Sequence, residues 1–359
     1  MGDYALTVAQ KLRETGVGET TFAANETGAS AAGGFELVAL TDLAVKESFS
    51  SRFDRIILHY VNYGYQKRGV PFGLLHILRG LRRNSRGRFL TIFHELSASA
   101  PPWKSAFWLR PFQVRIAKEI SQISDVCIVS NETTRAQLRK LTPAADISVH
   151  PVPSNFGEPS LSADQLDRRD AHRWVICGGN ALLQRSVHSF RRIFDRIPNS
   201  VFPRHLAVLG GNNDDTVRST LADLPNVEIN YRPQIAAGDA SRILADSSFS
   251  WIDYFYRPNV PTSVILKSGA FAAVCAHGVI PVFPDSGSAI SLDNDELPGP
   301  FFINLTSSNV APSGVKLGAK FYDWYQRHAS SNHLVREITQ ALGLVSTEAV
   351  LPESKAITG

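Results

Sequence analysis

With 359 residues, 43% of them hydrophobic and 19% charged, the chain is long enough to bury two cores and too apolar to be disordered. A net charge of +4 does not by itself imply a nucleic-acid partner, and Cys127, Cys177 and Cys275, each inside an apolar run, exclude a disulfide framework and a zinc spacing. No stretch reaches the roughly 18 apolar residues of a membrane span, and the opening MGDYALTVAQKLRETG lacks the order of a signal peptide. The expectation is therefore a soluble cytoplasmic protein, at most peripheral at the inner face of a membrane.

In chain order, residues 4–15 carry apolar positions at helical spacing, and TTFAA and FELVAL follow as short strands. RIILHYV (55–61) reads as a buried strand, 71–83 as a helix, RFLTIFHE (88–95) as a strand, 111–122 as a helix and DVCIVS (125–130) as a strand. Val- and Ile-rich runs separated by amphipathic helices predict a parallel sheet. The texture changes near 143–172, where SADQLDRRDAHR is polar. A second alternation begins at RWVICGGN and runs through HLAVLGGN, VEINY and SFSWIDYF to VIPVFPD, with helices predicted at 184–195, 214–223, 238–246 and 268–277. The expected organisation is a first doubly wound domain over 1–155, a hinge over 156–172 and a second doubly wound domain over 173–318. Helices over 319–359 are expected to pack back toward the first domain. Ligands of such sheets bind at the carboxyl ends of the strands.

The most informative segment is YRPNVPTSVILKSGAFAAVCAHGVIPV (256–282). Lys267, Ser268 and Gly269 place a cation, a hydroxyl and a residue that permits close backbone approach at a helix N-terminus, which favours a diphosphate. The plain alternative, a Ser N-cap beside a solvated lysine, stands equally at this point. Arg79, Arg82, Arg83 and Arg86 recur at i, i+3, i+4 and i+7, opposite Leu74, Leu75, Leu78 and Leu81. This basic stripe is either a solvated face or a contact with an anionic membrane surface. No Gly-x-Ser-x-Gly elbow, P-loop, His-Glu-x-x-His or dinucleotide fingerprint occurs, and the arginine stripe carries no aromatic interleaving or nucleic-acid motif that would favour RNA.

The 256–282 segment resembles the donor-site helix of GT-B glycosyltransferases of the large retaining family 4 type, in a small-x-x-small helix (Ala272, Ala273, Ala276) and a Gly278-to-Pro281 turn. The same resemblance, degenerate in each motif but consistent in order over about residues 2–335, implies a GT-B fold of two facing Rossmann-like domains. It implies that Gly178, Gly179 and Arg185 of WVICGGNALLQRS, with Asp253, Ser263, Lys267, Ser268 and Gly269, bind a nucleotide-sugar. It implies that His94 and Glu95 of IFHELSA serve catalysis, His94 as a hydrogen-bond partner of the donor sugar or a proton acceptor. Tyr60, Asn62, Tyr63 and Gly64 would contact a saccharide or lipid-linked acceptor, and no metal or other cofactor is expected. The departure is acidic: many members carry two acids flanking this loop and helix, whereas Ala270 and Ala273 are not acidic and no glutamate lies between Glu228 and Glu296. In the family a strand and a Gly-rich loop precede the first helix, whereas here the sequence opens on the helix. The expected activity is transfer of a sugar from a nucleoside-diphosphate donor, with retention favoured over inversion, in surface polysaccharide or glycan synthesis. A sugar-nucleotide 2-epimerase and a non-catalytic sugar-nucleotide-binding relative remain as alternatives.

Overall fold

The computed structural model describes residues 2–16, 18–24, 34–45, 53–98, 100–222, 224–255, 260–284, 289–298, 301–303, 308–309 and 317–344. The chain forms two compact units, the first from Met1–Val129, Thr134–Val149 and Ser331–Gly359, the second from Ser130–Thr133 and His150–Ser330.

The first unit runs α1 (Gly2–Glu14), β1 (Thr21–Ala24), β2 (Glu36–Ala39), α2 (Asp42–Val45), β3 (Arg55–Tyr60), α3 (Asn62–Tyr65), α4 (Phe72–Asn84), β4 (Arg88–Phe93), α5 (Ser105–Ile123), β5 (Val126–Val129), α6 (Glu132–Leu141) and β6 (Ile147–Val149). Strands β3 to β6 lie side by side in chain order, all parallel, with Tyr60 opposite Phe93, Phe93 opposite Val129 and Val129 opposite Val149. Their carboxyl ends are therefore level. Strands β1 and β2 pair in parallel as a separate two-stranded sheet.

The second unit contains α7 (Ala163–Asp167), β7 (Arg173–Cys177), α8 (Asn180–Ile193), β8 (His205–Leu209), α9 (Asp215–Ala222), β9 (Glu228–Arg232), α10 (Ala237–Ala245) and β10 (Phe249–Trp251). A 3-10 turn (Thr262–Lys267), α11 (Gly269–Ala276), β11 (Ile280–Phe283), β12 (Ser291–Leu292), β13 (Asp295–Glu296), β14 (Phe301–Ile303), β15 (Ser308–Asn309) and α12 (Leu317–His328) complete it. The last described helix, α13 (Ser331–Ala341), returns to the first unit. The large sheet has the order β15-β14-β11-β10-β7-β8-β9, parallel throughout except for β15, which is antiparallel to β14.

Alternation along the strands assigns each face its cover. Leu90 and Ile92 of β4 and Ile128 of β5 pack with Val8 and Leu12 of α1 and with Leu334, Val335 and Ile338 of α13. The intervening positions turn to the other face, where the Thr91 hydroxyl lies 2.7 Å from that of Ser124 and the Cys127 thiol donates to Ser121, which places α5 there. Arg55 and Arg88 donate to the carbonyls of Leu342 and Ala341, so the open end of α13 is closed by cations, as its dipole favours. In the second unit the core is aromatic: Trp174 stacks on Phe249 at 5.0 Å, and the indole N–H groups of Trp174 and Trp251 are satisfied by the Val201 carbonyl and the Ser189 hydroxyl.

Three features differ from the sequence reading. Helix α5 begins at Ser105 and runs through Pro111, six residues ahead of the expected start. The polar stretch 156–172 is built into the second unit: a capping box at Ser162 and Gln165 starts α7, Tyr322 donates to the Pro159 carbonyl, and Arg169 donates to the carbonyls of Ser247, His277 and Gly278. Burial lowers the Arg169 guanidinium to about pH 10, well below the usual arginine range. The C-terminal helices divide: α12 belongs to the second unit and α13 to the first.

Candidate functional site

In the large sheet β7 is the first strand laid down. β8 and β9 add on one side, β10, β11 and β14 on the other, so the order reverses between β7 and β10. Loops leaving adjacent strands in opposite directions open a crevice at such a point, where ligands of open α/β sheets bind. The sequence places Gly178 and Gly179 directly after β7 and Asp253 just after β10. Arg185, one turn into α8, spans the gap by donating to the Asp253 carbonyl at 3.4 Å, and the Asp253 N–H donates to the Ser186 hydroxyl. Four of the expected donor residues are thus brought together.

The loop after β8 joins them. Gly178 has φ +153 and Gly210 has φ +92, and a Cβ on Gly210 would fall 2.7 Å from the Gly178 carbonyl oxygen, so only glycine fits there. The Asn180 side-chain carbonyl accepts the Asn212 N–H at 2.6 Å. Asp214 then caps α9 through the N–H groups of Thr216 and Val217. Its pKa is lowered, first by the hydrogen bond from Gln184 and then by these backbone contacts. Gly210, Gly211 and Asn180 were not singled out from sequence. The signal was present in the repeated Gly-Gly-Asn of VICGGN and AVLGGN, each directly after an apolar strand.

The second helix terminus meets the first. The Cys177 thiol, at the end of β7, donates to the Ala270 carbonyl at 3.9 Å, which sets the first turn of α11 against the Gly178–Gly179 loop. Burial raises this thiol to about 12, so it is an inert spacer at neutral pH. Lys267 is exposed and Ser268 is buried. The Ser268 hydroxyl accepts the Phe271 N–H, so of the two readings of this residue the structure shows the N-cap. A Cβ on Gly269 would sit 3.6 Å from the Asn155 side-chain oxygen, which adds Asn155, unnoticed in the sequence, to the rim. The Ser263 hydroxyl lies 3.3 Å from that of Thr133.

In the first unit the residues expected to serve catalysis and acceptor binding lie at the carboxyl ends of β3 and β4. His94 follows β4 and donates its backbone N–H to the Tyr60 carbonyl. Its ring stacks on that of His59 at 5.7 Å with the ring nitrogens 3.4 Å apart, and Tyr4 of α1 stands edge-on to both. Burial, with the neighbouring His94, lowers His59 to about 3, and burial lowers His94 to about 4. Both are neutral at physiological pH, and His94 is too weak a base to favour proton acceptance over hydrogen bonding. His59 and Tyr4 had not been singled out. Glu95 is exposed. Of the expected acceptor residues, Tyr63 and Gly64 reach the surface, whereas Tyr60 and Asn62 are wholly buried. The Tyr60 hydroxyl and both polar atoms of the Asn62 amide have no hydrogen-bond partner among the described residues.

The arginine stripe is exposed and half of it is paired. Arg79 pairs with Glu119 of α5, Arg82 makes a two-pronged contact with Asp125 at 2.7 and 3.0 Å, and Arg83 donates to the Arg79 carbonyl. Acids 40 and 43 residues away in sequence take up half of it.

No family model matches the chain, and no curated protein sequence matches it. Solved structures do. An "alpha-glucosyltransferase (AGT) in complex with UDP" superposes with TM-score 0.59 at 11% identity over 95% of each chain. The same kind of enzyme with UDP and a 13-mer DNA containing an HMU base gives 0.60 at 10% identity, also over 95% of each. WaaG, a glycosyltransferase involved in lipopolysaccharide biosynthesis, gives 0.52 at 9% identity over 96% of this chain and 95% of that one. The chain has the α/β GT-B fold of these glycosyltransferases, with a parallel sheet in each unit.

Proposed function

We propose that this chain transfers a sugar from a nucleoside-diphosphate donor to a saccharide or lipid-linked acceptor, in glycan or surface polysaccharide synthesis on the cytoplasmic side. One observation carries the reading. Two glycine-opened helix termini, Gly178–Gly179 before α8 and Lys267–Ser268–Gly269 before α11, are joined at the switch point through Cys177 and Ala270. Two neighbouring helix N-termini that carry a lysine and an arginine suit an anionic diphosphate. The solved structures of the same fold with UDP bound support it by analogy.

In this reading the charge that develops on the leaving diphosphate is met by Lys267, Arg185 and the backbone N–H groups, without need of a resident metal. Asp253 and Ser263 lie on the sugar and base side. His94 stays neutral and orients a hydroxyl of the donor sugar or acceptor, with Glu95 beside it, while Tyr63 and Gly64 offer the accessible acceptor contacts. Retention of configuration is the favoured outcome by fold analogy.

The test is a thermal-shift panel of UDP-, GDP-, ADP- and dTDP-sugars, followed by transfer assays with the base family that shifts. Stabilisation by one base family together with turnover supports the proposal. Donor binding without transfer or hydrolysis on a broad acceptor panel selects the non-catalytic reading, which the lack of a glutamate between Glu228 and Glu296 favours. No shift with any donor removes the site.

A further inference from the structure

The first unit carries a surface that sugar transfer does not use. Among the described residues, the large apolar side chains that are exposed are Phe72, Trp103, Phe107, Trp108 and Phe112, besides the acceptor candidate Tyr63, all within one segment of fifty residues. Trp103 is 81% exposed and Trp108 69%, whereas Trp174, Trp251 and Trp324 are fully buried. Nothing between Pro101 and Phe112 is buried, so the first two turns of α5 stand clear of the core that its later turns cover. The rings gather in two pairs on one stretch of helix: Phe72 of α4 meets Phe112 at 6.4 Å, Phe107 meets Trp108 at 5.4 Å, and the Trp108 indole donates to the Pro102 carbonyl, tying the loop to the helix.

The charge within the patch is basic. Between Leu96 and Lys118 the sequence holds Lys104, Arg110, Arg115 and Lys118 and no acid, and the next residue, Glu119, turns to Arg79 and Arg115. Lys104 and Arg110 are interleaved with the tryptophans and exposed, and Arg115 and Lys118 continue the same helix. Aromatic rings and arginine occur in protein–protein interfaces and in membrane belts alike, whereas lysine is depleted from interface cores, so Lys104 set between Trp103 and Trp108 is what favours a lipid surface. Tryptophan and phenylalanine next to lysine and arginine suit the headgroup region of an anionic bilayer, where an indole sits with its ring in the acyl boundary and its edge in water.

We propose that the 101–112 segment, with Phe72, docks this unit onto an anionic lipid surface, the aromatic rings inserting and Lys104 and Arg110 contacting the headgroups. This places the contact on the loop and first turns of α5, not on the paired arginine stripe of α4. It stands whether or not the donor reading above holds.

The experiment is co-sedimentation of the full chain with vesicles of phosphatidylcholine alone and of phosphatidylcholine mixed with phosphatidylglycerol. Binding is expected to the mixed vesicles and to weaken as salt is raised. Trp103→Ser combined with Trp108→Ser is expected to lower partitioning by about tenfold or more. Both side chains are exposed, so the variant is expected to unfold at the same temperature as the parent. Lys104→Glu with Arg110→Glu gives a second variant that removes the charge and leaves the rings. Because the other three tryptophans are buried, quenching by brominated lipid reads Trp103 and Trp108 in the unaltered protein. Absence of binding to either vesicle, absence of quenching, or full binding by the double tryptophan variant overturns the proposal. So does a change of mass in sedimentation velocity that the tryptophan variant abolishes without any vesicle binding, which would make the patch a contact between copies.

Discussion

The side-chain oxygen of Asn180 accepts the backbone N–H of Asn212 at 2.6 Å, which locks together two loops that carry the same three residues, Gly-Gly-Asn, at the ends of adjacent strands. Asn180→Ala removes the acceptor and is expected to cost about 0.5–1.5 kcal/mol of stability in urea titration. Asn180→Asp keeps an acceptor oxygen and is expected to recover most of it. If the alanine variant matches the parent, the loops are held by other means.

Gly210→Ala tests the close approach behind that lock. The left-handed backbone and a Cβ placed 2.7 Å from the Gly178 oxygen predict a loss of roughly 1–3 kcal/mol. Weaker donor binding is expected as well, because the Gly178 loop must move. A variant with unaltered melting and donor affinity would show that the loops relax freely.

Lys267 and Ser268 separate recognition from capping. Lys267→Ala is expected to weaken nucleoside-diphosphate affinity by about 1.5–3 kcal/mol, roughly ten- to a hundredfold in Kd by calorimetry, with no change in melting temperature. Ser268→Ala is expected to lower stability by about 0.5–2 kcal/mol through the lost cap and to change affinity less than the lysine variant does. The reverse ranking would assign the hydroxyl to the ligand.

The buried histidines set the response to acid. His59 falls to about 3, His94 to about 4 and His277 to about 4, in each case chiefly by burial, against about 6.5 in an unfolded chain. Between these limits the unfolded chain binds more protons, so stability is full above about pH 6.5 and declines as pH falls toward 4. His59→Phe is expected to flatten that decline in thermal melts between pH 4 and 7, and an unchanged slope would locate the sensitivity elsewhere. For the same reason the rate profile should show no His94 ionisation between pH 5.5 and 8. His94→Ala is expected to reduce turnover more than donor affinity; unaltered turnover would leave it a packing residue against Tyr4.

Much of this architecture was legible in the chain. Strands such as RFLTIFHE and RWVICGG are apolar runs buried on both faces, and the order of such runs alone gives two parallel-sheet units. Local pattern fails where the partner is remote. The arginine stripe of α4 looks open until Glu119 and Asp125 arrive from α5 and the turn after it, and 156–172 looks like a linker until Arg169 reaches the carbonyls of Ser247 and His277. The start of α5 was hidden because Trp103, Phe107 and Trp108 form an apolar stripe that covers nothing within the unit, beside a proline that ordinarily marks a boundary. The Gly210 approach was marked only by a repeated tripeptide.

The return of α13 to the first unit makes two segments more than 300 residues apart interdependent. Val8 and Leu12, near the start, share one apolar layer with Leu334, Val335 and Ile338, near the end, over strands β4 and β5. A chain that stopped at residue 330 would keep every strand of both sheets yet uncover Leu90, Ile92 and Ile128. A nascent chain leaving the ribosome therefore holds this face only half covered, by α1, until α13 has been made, and a truncation before α13 would be felt in strands synthesised much earlier.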